Sequence, residues 1–235
     1  MQTVRERLPL ILTTIAVTTV VALLYLVVAS KTYEAEADLL VTPVSSDEAF
    51  TGLPLIRESS DPTRDVETVA RLVTTREVAE RAKAELETDL SVDELLKKVE
   101  AAPIAQSNLV AVTAKGGSAE EAADIANAFG AGVVANRTEQ LQQQIDELIV
   151  QLRQRVENEP PLDSSDPNSA AQELSRLETL RAGQDPTLRL ETEATPPDNQ
   201  ASPRPVLTIF VGLIGGAVLG IGAAFALQTL DPRLR

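Results

Sequence analysis

The sequence predicts an α+β membrane protein, in which two transmembrane helices flank an extracytoplasmic α+β domain. Three observations predict this class. Two uncharged runs, residues 8–29 and 206–227, lie near the ends of the 235-residue chain. About 20 apolar residues are enough for a helix to cross a bilayer. Between the runs, amphipathic helix patterns alternate with short period-2 stretches, and this middle segment carries the excess negative charge of the chain.

The distribution of basic residues predicts the orientation of the two spans. Residues 1–7 and 228–235 each contain two arginines, whereas residues 30–205 hold 17 Lys and Arg against 33 Asp and Glu. Short basic flanks stay in the cytoplasm, so both tails are predicted to be cytoplasmic and the acidic domain extracytoplasmic. A signal peptide cleaved after Ala29 is the competing interpretation, although the first run is longer than the ~7–15 residues of a signal core.

Three strands are predicted from alternation. In residues 33–41, YEAEADLLV, the three acidic side chains fall on one face, and Pro43 ends the pattern; the other face carries Tyr33, Ala35, Ala37, Leu39 and Val41. Residues 108–114 are rich in β-branched side chains, and residues 187–195 alternate again. A period of two is typical of half-buried strands. Because the first and third strands adjoin the two runs, we expect a small sheet near the membrane.

Two helices are predicted before the second of these strands. Residues 65–88 carry an apolar stripe at helical spacing, with charges opposite. Ser91 and Glu94 then form a capping box for a short helix over 92–101. Proline ends such helices, and here Pro103 follows.

A long protruding helical hairpin is predicted after the second strand. Ser118 and Glu121 form another capping box, and no proline occurs again before Pro160. The helix between them can run for about 40 residues, or about 60 Å. A shorter return helix is predicted over 169–182, ended by Gly183.

Small residues recur every four positions in the second apolar run. A face without side chains lets two helix backbones approach closely in lipid. This face is predicted to pack against another copy of the chain or against the first run, and its members are Gly212, Gly216, Gly220 and Ala224.

Two further sets are candidate functional residues. Apolar residues at 4-3-4 spacing in the long helix are typical of a coiled-coil seam and predict packing of the hairpin or of an oligomer; they are Leu141, Ile145, Leu148 and Leu152. Four prolines form a stiff approach to the second run: Pro196, Pro197, Pro203 and Pro205.

The composition excludes several kinds of site. The chain has no Cys and no His, so it offers no disulfide, no thiolate zinc site and no imidazole base. We expect no cofactor. Carboxylates in the segment 45–65 could bind Ca²⁺ but lack EF-hand spacing; they are Asp47, Glu48, Asp61 and Asp65. The acidic domain would repel the phosphates of a nucleic acid.

This order of parts resembles the polysaccharide chain-length determinant family, the Wzz-like co-polymerases. The resemblance rests on YEAEADLLVTP after the first run, and on NLVAVTAKGGSAEEAADIANAFGAGVV with its strand, turn and Ala-x-x-Ala-Asn helix start. It rests equally on the proline-rich lead into a glycine-rich run that ends LDPR. It implies a homo-oligomeric, ring-like and non-enzymatic regulator of surface polysaccharide length (capsule, exopolysaccharide or O-antigen type). Such a regulator sits in the bacterial plasma membrane beside a polysaccharide polymerase.

Many relatives continue into a cytoplasmic tyrosine kinase. This sequence ends at Arg235 and contains no GxxxxGK[ST] phosphate loop. The resemblance therefore leaves two alternatives: a kinase-free form, or an adaptor whose residues 231–235 activate a separate tyrosine kinase. An enzyme built on a Ser–Lys dyad or a carboxylate pair is the third hypothesis.

Overall fold

The structure is a computed structural model that describes residues 8–44, 53, 55–56, 62–105, 107–158 and 170–230. These residues form seven helices: α1 (Leu8–Val28), α2 (Pro62–Val73), α3 (Arg76–Leu86), α4 (Val92–Lys98), α5 (Ala119–Asn158), α6 (Ala170–Arg181) and α7 (Pro205–Leu230). They also form four strands: β1 (Tyr33–Val41), β2 (Val99–Pro103), β3 (Leu109–Gly116) and β4 (Leu188–Thr192). The predicted α+β class with an apolar helix near each end is confirmed.

The chain divides into two compact units. One contains residues 1–33 and 199–235, and the other residues 34–198. In the first unit, α1 and α7 are long and apolar enough to cross a membrane. The helix α7 begins one residue before the predicted run and continues three residues beyond it. Pro205 occupies its first position, where the missing N–H of proline costs no hydrogen bond.

The sheet of the second unit has four strands in the order β2-β3-β1-β4. The predicted bounds of β1 are confirmed, and its apolar side chains Ala35, Ala37, Leu39 and Val41 are buried. β4 pairs antiparallel with β1, so that Leu190 lies opposite Leu39. The other face of β1 carries its acidic residues, as the alternation predicts.

The prediction of a helix over 92–101 is wrong beyond Lys98. The chain continues directly into β2, which pairs antiparallel with β3 and places Val99 opposite Ala114. Val99 is buried there. Sheet pairing with the next strand along the chain therefore overrides the local helix pattern.

The prediction of one helix over 65–88 is also wrong. The helix breaks at Thr74 and Thr75, and α3 starts at Arg76. Thr75 is extended, with φ −79° and ψ 158°. Its hydroxyl donates to the Leu72 carbonyl at 2.9 Å, a local bond with which threonine competes against helix continuation.

The long helix α5 spans 40 residues, as predicted, and has two different environments. Its first half is buried in the core of the α+β unit, where Ile125, Ala126, Phe129 and Val133 are almost fully covered. Its second half pairs with α6. The two helices run in opposite directions, because Arg153 pairs with Glu178 and Asp146 with Arg181.

Both predicted capping boxes start helices, but they differ in detail. At α4 the box is complete: Ser91 accepts from the Glu94 N–H, and Glu94 accepts from the Ser91 N–H. At α5 the Ser118 hydroxyl accepts from the Glu121 N–H at 3.0 Å. The Glu121 carboxylate accepts instead from the N–H of Gly117, at 2.7 Å.

Glu121 also joins two segments that are distant in sequence. The Lys98 ammonium lies 2.6 Å from its carboxylate. This hydrogen bond, together with that from Gly117, holds the pKa of the Glu121 carboxyl below its ordinary value of 4.5. A carboxyl whose pKa is lowered by folding stabilises the fold above its unfolded pKa and loses this contribution as the pH falls through the folded value.

Glu121→Gln should therefore lower the unfolding free energy at pH 7, and its difference from the wild type should shrink as the pH falls below about 4.5. The carboxylate is more than one third exposed, so the loss should stay below about 1 kcal/mol. Denaturant unfolding across pH measures it. Glu120→Gln, which removes an exposed charge from the same turn, is the control; an equal pH-dependent loss there would contradict the assignment.

Candidate functional site

The small-residue face of α7 packs against α1 of the same chain. A Cβ atom at Gly212 would lie 2.9 Å from Ala22 Cβ, and one at Gly220 would lie 3.0 Å from Ile11 Cα. At Gly216 it would collide with the Thr18 hydroxyl and lie 2.8 Å from Ile15 Cα. Real Cβ atoms essentially never approach as closely as at Gly212 and Gly216, and the contact at Gly220 is tighter than almost all real ones. Within the chain this face therefore lies against the first apolar run, and its packing against another copy stays a prediction.

A side-chain hydrogen bond crosses this helix pair. The Thr18 hydroxyl donates to the Gly212 carbonyl at 2.9 Å. Such bonds between membrane helices are stabilising by about 1 kcal/mol. Ala224, the last member of the small-residue face, is buried. Gly215 and Gly222 lie off this face, and a Cβ atom at either would meet no atom of the described chain within 4 Å.

The ends of α1 and α7 are joined by backbone hydrogen bonds. The Thr32 N–H donates to the Ser202 carbonyl at 2.9 Å, and the Ala201 N–H donates to the Thr32 carbonyl at 2.8 Å. Pro203 is buried beside this bridge, and Pro205 opens α7. Two of the four predicted prolines thus lie at the start of the second apolar helix.

The other two prolines follow the sheet. Pro196 is exposed and Pro197 half-buried, in the segment after β4. Two residues earlier, Ala194 is fixed to α5, because the Asn127 side chain accepts from the Ala194 N–H at 2.7 Å and donates to its carbonyl at 3.0 Å. Asn127 belongs to the Ala-x-x-Ala-Asn pattern of the sequence, and its side chain pairs with the extended backbone as another strand would.

The predicted seam of α5 packs within the chain. Leu141, Ile145 and Leu152 are buried and Leu148 is half-buried, in a cluster that also contains Leu53, Ile149 and Leu177. Leu177 of α6 is the buried residue of the return helix in this cluster, and Leu174 and Leu180 pack against the cluster. The hairpin thus covers its own apolar stripe, and the oligomeric role of the seam stays a prediction.

One buried polar network was not found from the sequence. Arg137 of α5 donates to the Asp185 carboxylate at 2.9 Å. The same carboxylate accepts from the Thr187 N–H at 2.8 Å and from its hydroxyl at 2.5 Å, and the Thr138 hydroxyl accepts from the Asp185 N–H. The Asp185 side chain is fully buried. This network fixes the turn between α6 and β4 onto the middle of α5.

The acidic segment proposed for Ca²⁺ lies mostly outside the described residues. Asp47, Glu48 and Asp61 fall there, and Asp65 lies in the first turn of α2. Across the part of the chain that the structure describes, no group of three or more His, Cys, Asp or Glu residues could hold a metal ion.

The fold and the helix pair define a class of protein: an α+β domain inserted between two apolar helices that could span a membrane. The family model described as Wzz, chain length determinant protein, matches residues 1–86. A solved structure of a full-length bacterial polysaccharide co-polymerase has the same fold, with a TM-score of 0.53 and 14% identity, over 99% of this chain and 98% of that chain. The resemblance to chain-length determinants is thereby confirmed.

A fragment of WzzB, a polysaccharide co-polymerase from Salmonella Typhimurium, is also similar. It is 12% identical, with a TM-score of 0.37, over 74% of this chain and 100% of that chain. No curated protein sequence matches this chain.

Proposed function

We propose that this protein is an oligomeric regulator of surface polysaccharide chain length in the bacterial plasma membrane. It acts beside a membrane polysaccharide polymerase and is not itself an enzyme. The observation that carries the proposal is the match of the chain-length determinant model to residues 1–86, within a chain that has a co-polymerase fold over almost its full length.

The placement of the two units in the cell belongs to the same proposal. Both tails face the cytoplasm and residues 30–205 face outward, because the two short tails each carry two arginines and short basic flanks stay in the cytoplasm. The acidic domain carries a net charge of −16, from 17 basic and 33 acidic residues. A long segment can be translocated largely regardless of its charge, so the short basic flanks carry the argument for this orientation.

The size distribution of surface polysaccharide tests the function. In cells that lack the protein, the polymer separated on a gel should change from a defined length range to a broad, unregulated one. Expressing the full chain again in these cells should restore the defined range of polymer lengths. A distribution that is unchanged by the deletion would refute the proposal.

The kinase-adaptor hypothesis concerns residues 231–235, which lie outside the described residues. Complete loss of polymer on deletion would favour this alternative over length control. Removing residues 230–235 should then abolish phosphorylation of a separate tyrosine kinase, whereas a length regulator would keep its effect on the polymer.

A further inference from the structure

The outward face of the sheet carries a polar cleft that the packing of the fold does not use. It lies on the face opposite to the buried residues of β1 and β3 and has a volume of about 520 Å³. This is within the range of small-molecule sites. Its charged and hydroxyl-bearing lining residues are Glu34, Lys97, Lys98, Glu100, Thr113 and Lys115.

Lysines are concentrated in this cleft. Lys97, Lys98 and Lys115 are three of only five lysines in a chain whose net charge is −14. They come from the end of α4 and from the far end of β3, which are neighbours because β2 pairs antiparallel with β3. The sheet topology thus collects cations that are distant in sequence.

The positions of the ammonium groups leave them able to contact a ligand. Lys97 is exposed. The Lys115 ammonium lies 3.4 Å from the Glu34 carboxylate, and both side chains are about half exposed. Surface pairs of this kind contribute little to stability, so a ligand can replace them at small cost. Lys98 is held more tightly, at 2.6 Å from Glu121.

The mixture of groups selects the chemistry of the ligand. Ammonium groups donate hydrogen bonds to carboxylate or phosphate oxygens. The Glu34 and Glu100 carboxylates and the Thr113 hydroxyl accept hydrogen bonds from hydroxyl groups. A simple anion would use only the lysines and be repelled by the glutamates, and a neutral sugar would leave the lysines unused. An acidic saccharide has both kinds of group.

We propose that this cleft binds an acidic saccharide segment, with its carboxylate or phosphate at Lys97 and Lys115 and its hydroxyl groups at Glu34, Glu100 and Thr113. The proposal rests on the proposed function, because it makes an acidic polymer the ligand of a chain-length regulator. The cleft has no aromatic side chain for stacking on sugar rings, and the acidic domain repels polyanions at long range. Binding is therefore weak and depends on salt.

The test uses the full chain in nanodiscs of phosphatidylcholine, which carries no net charge. Tetragalacturonate is the acidic probe, and maltotetraose is a neutral probe of the same length. Calorimetric titration should show binding of tetragalacturonate that weakens with added salt. Maltotetraose should bind at least about fivefold more weakly, the order expected when two exposed ion pairs are lost.

Matched variants locate the site. Lys97→Gln combined with Lys115→Gln should weaken tetragalacturonate binding by about fivefold or more. Lys31→Gln combined with Lys83→Gln, which removes the same two charges at positions that do not line the cleft, should leave binding unchanged. Equal loss in both variants would overturn the assignment, because it would show a response to net charge alone.

Three other results would also overturn it. They are binding of maltotetraose as tight as that of tetragalacturonate, binding of inorganic phosphate with the same affinity, and replacement of the saccharide by anionic lipid headgroups when phosphatidylglycerol is added to the nanodiscs. The gel assay keeps this failure separate from that of the proposed function. If deletion abolishes length control but the purified chain binds no saccharide, the proposal of saccharide binding in the cleft fails and the proposed function stands.

Discussion

Replacing Gly216 by leucine should separate α1 from α7 and abolish length control. A side chain there would collide with the Thr18 hydroxyl and with the backbone at Ile15, which cannot move away as a flexible side chain can. Overpacking of this kind costs about 1–3 kcal/mol or more. The thermal midpoint of the purified chain in detergent micelles should fall, and cells carrying the variant should show the broad polymer distribution of the deletion.

Gly215→Leu and Gly222→Leu are matched controls on the same helix. Each makes the same substitution where a Cβ atom has open space, and each gains helix propensity as Gly216→Leu does. The thermal midpoint should not fall in either. If Gly216→Leu melts like these controls and keeps the normal polymer range, the glycine face does not hold the helix pair together. If a control keeps its midpoint but changes the polymer, its face contacts another copy or the polymerase.

Some elements could be predicted from the sequence because their signals are local. The strand β1 alternates from Tyr33 to Leu39 and is followed by Pro43, so its bounds follow from the pattern. The start of α5 follows from Ser118 and Glu121, and its length follows from the distance to the next proline. Each of these signals lies within a few residues of the feature that it determines.

Other elements depend on contacts between distant residues. Val99 follows a well-capped helix and has no local signal for a strand; only its pairing opposite Ala114 makes it one. The break between α2 and α3 lies at two threonines inside a continuous apolar stripe. The stripe predicts a helix on both sides of the break. Only the two threonines, which are β-branched and carry hydroxyl groups, indicate where α2 ends.

The candidate site likewise combines features with a local sequence signal and features that depend on contacts between distant residues. The small-residue spacing predicts a close packing face but contains no information about the partner, because Thr18 and Ala22 are almost 200 residues away. The seam predicts apolar packing but not that Leu177 covers it. Asp185 lies in an ordinary-looking Asp-Pro turn, and its role appears only when α5 brings Arg137 beside it.

Removing the Asp185 carboxylate should destabilise the α+β unit more than any surface charge. Asp185→Ala removes the carboxylate that accepts from Arg137, whose side chain is only 12% exposed, and it removes both bonds to Thr187. Breaking a buried pair by removing one partner costs about 3–5 kcal/mol. Urea unfolding of the full chain in micelles should show this loss, and the Thr187 amide should exchange its hydrogen faster.

Asp146→Ala is the control for this prediction. Asp146 also pairs with an arginine and also joins α5 to the return segment, but both side chains of its pair with Arg181 are at least half exposed. Asp146→Ala should lower the free energy of unfolding by less than about 1 kcal/mol. Asp185→Asn, which keeps one acceptor oxygen for Thr187, should lie between the two. Equal and small losses for Asp185→Ala and Asp146→Ala would mean that the buried carboxylate, with its bonds to Arg137 and Thr187, stabilises the unit no more than the exposed pair does.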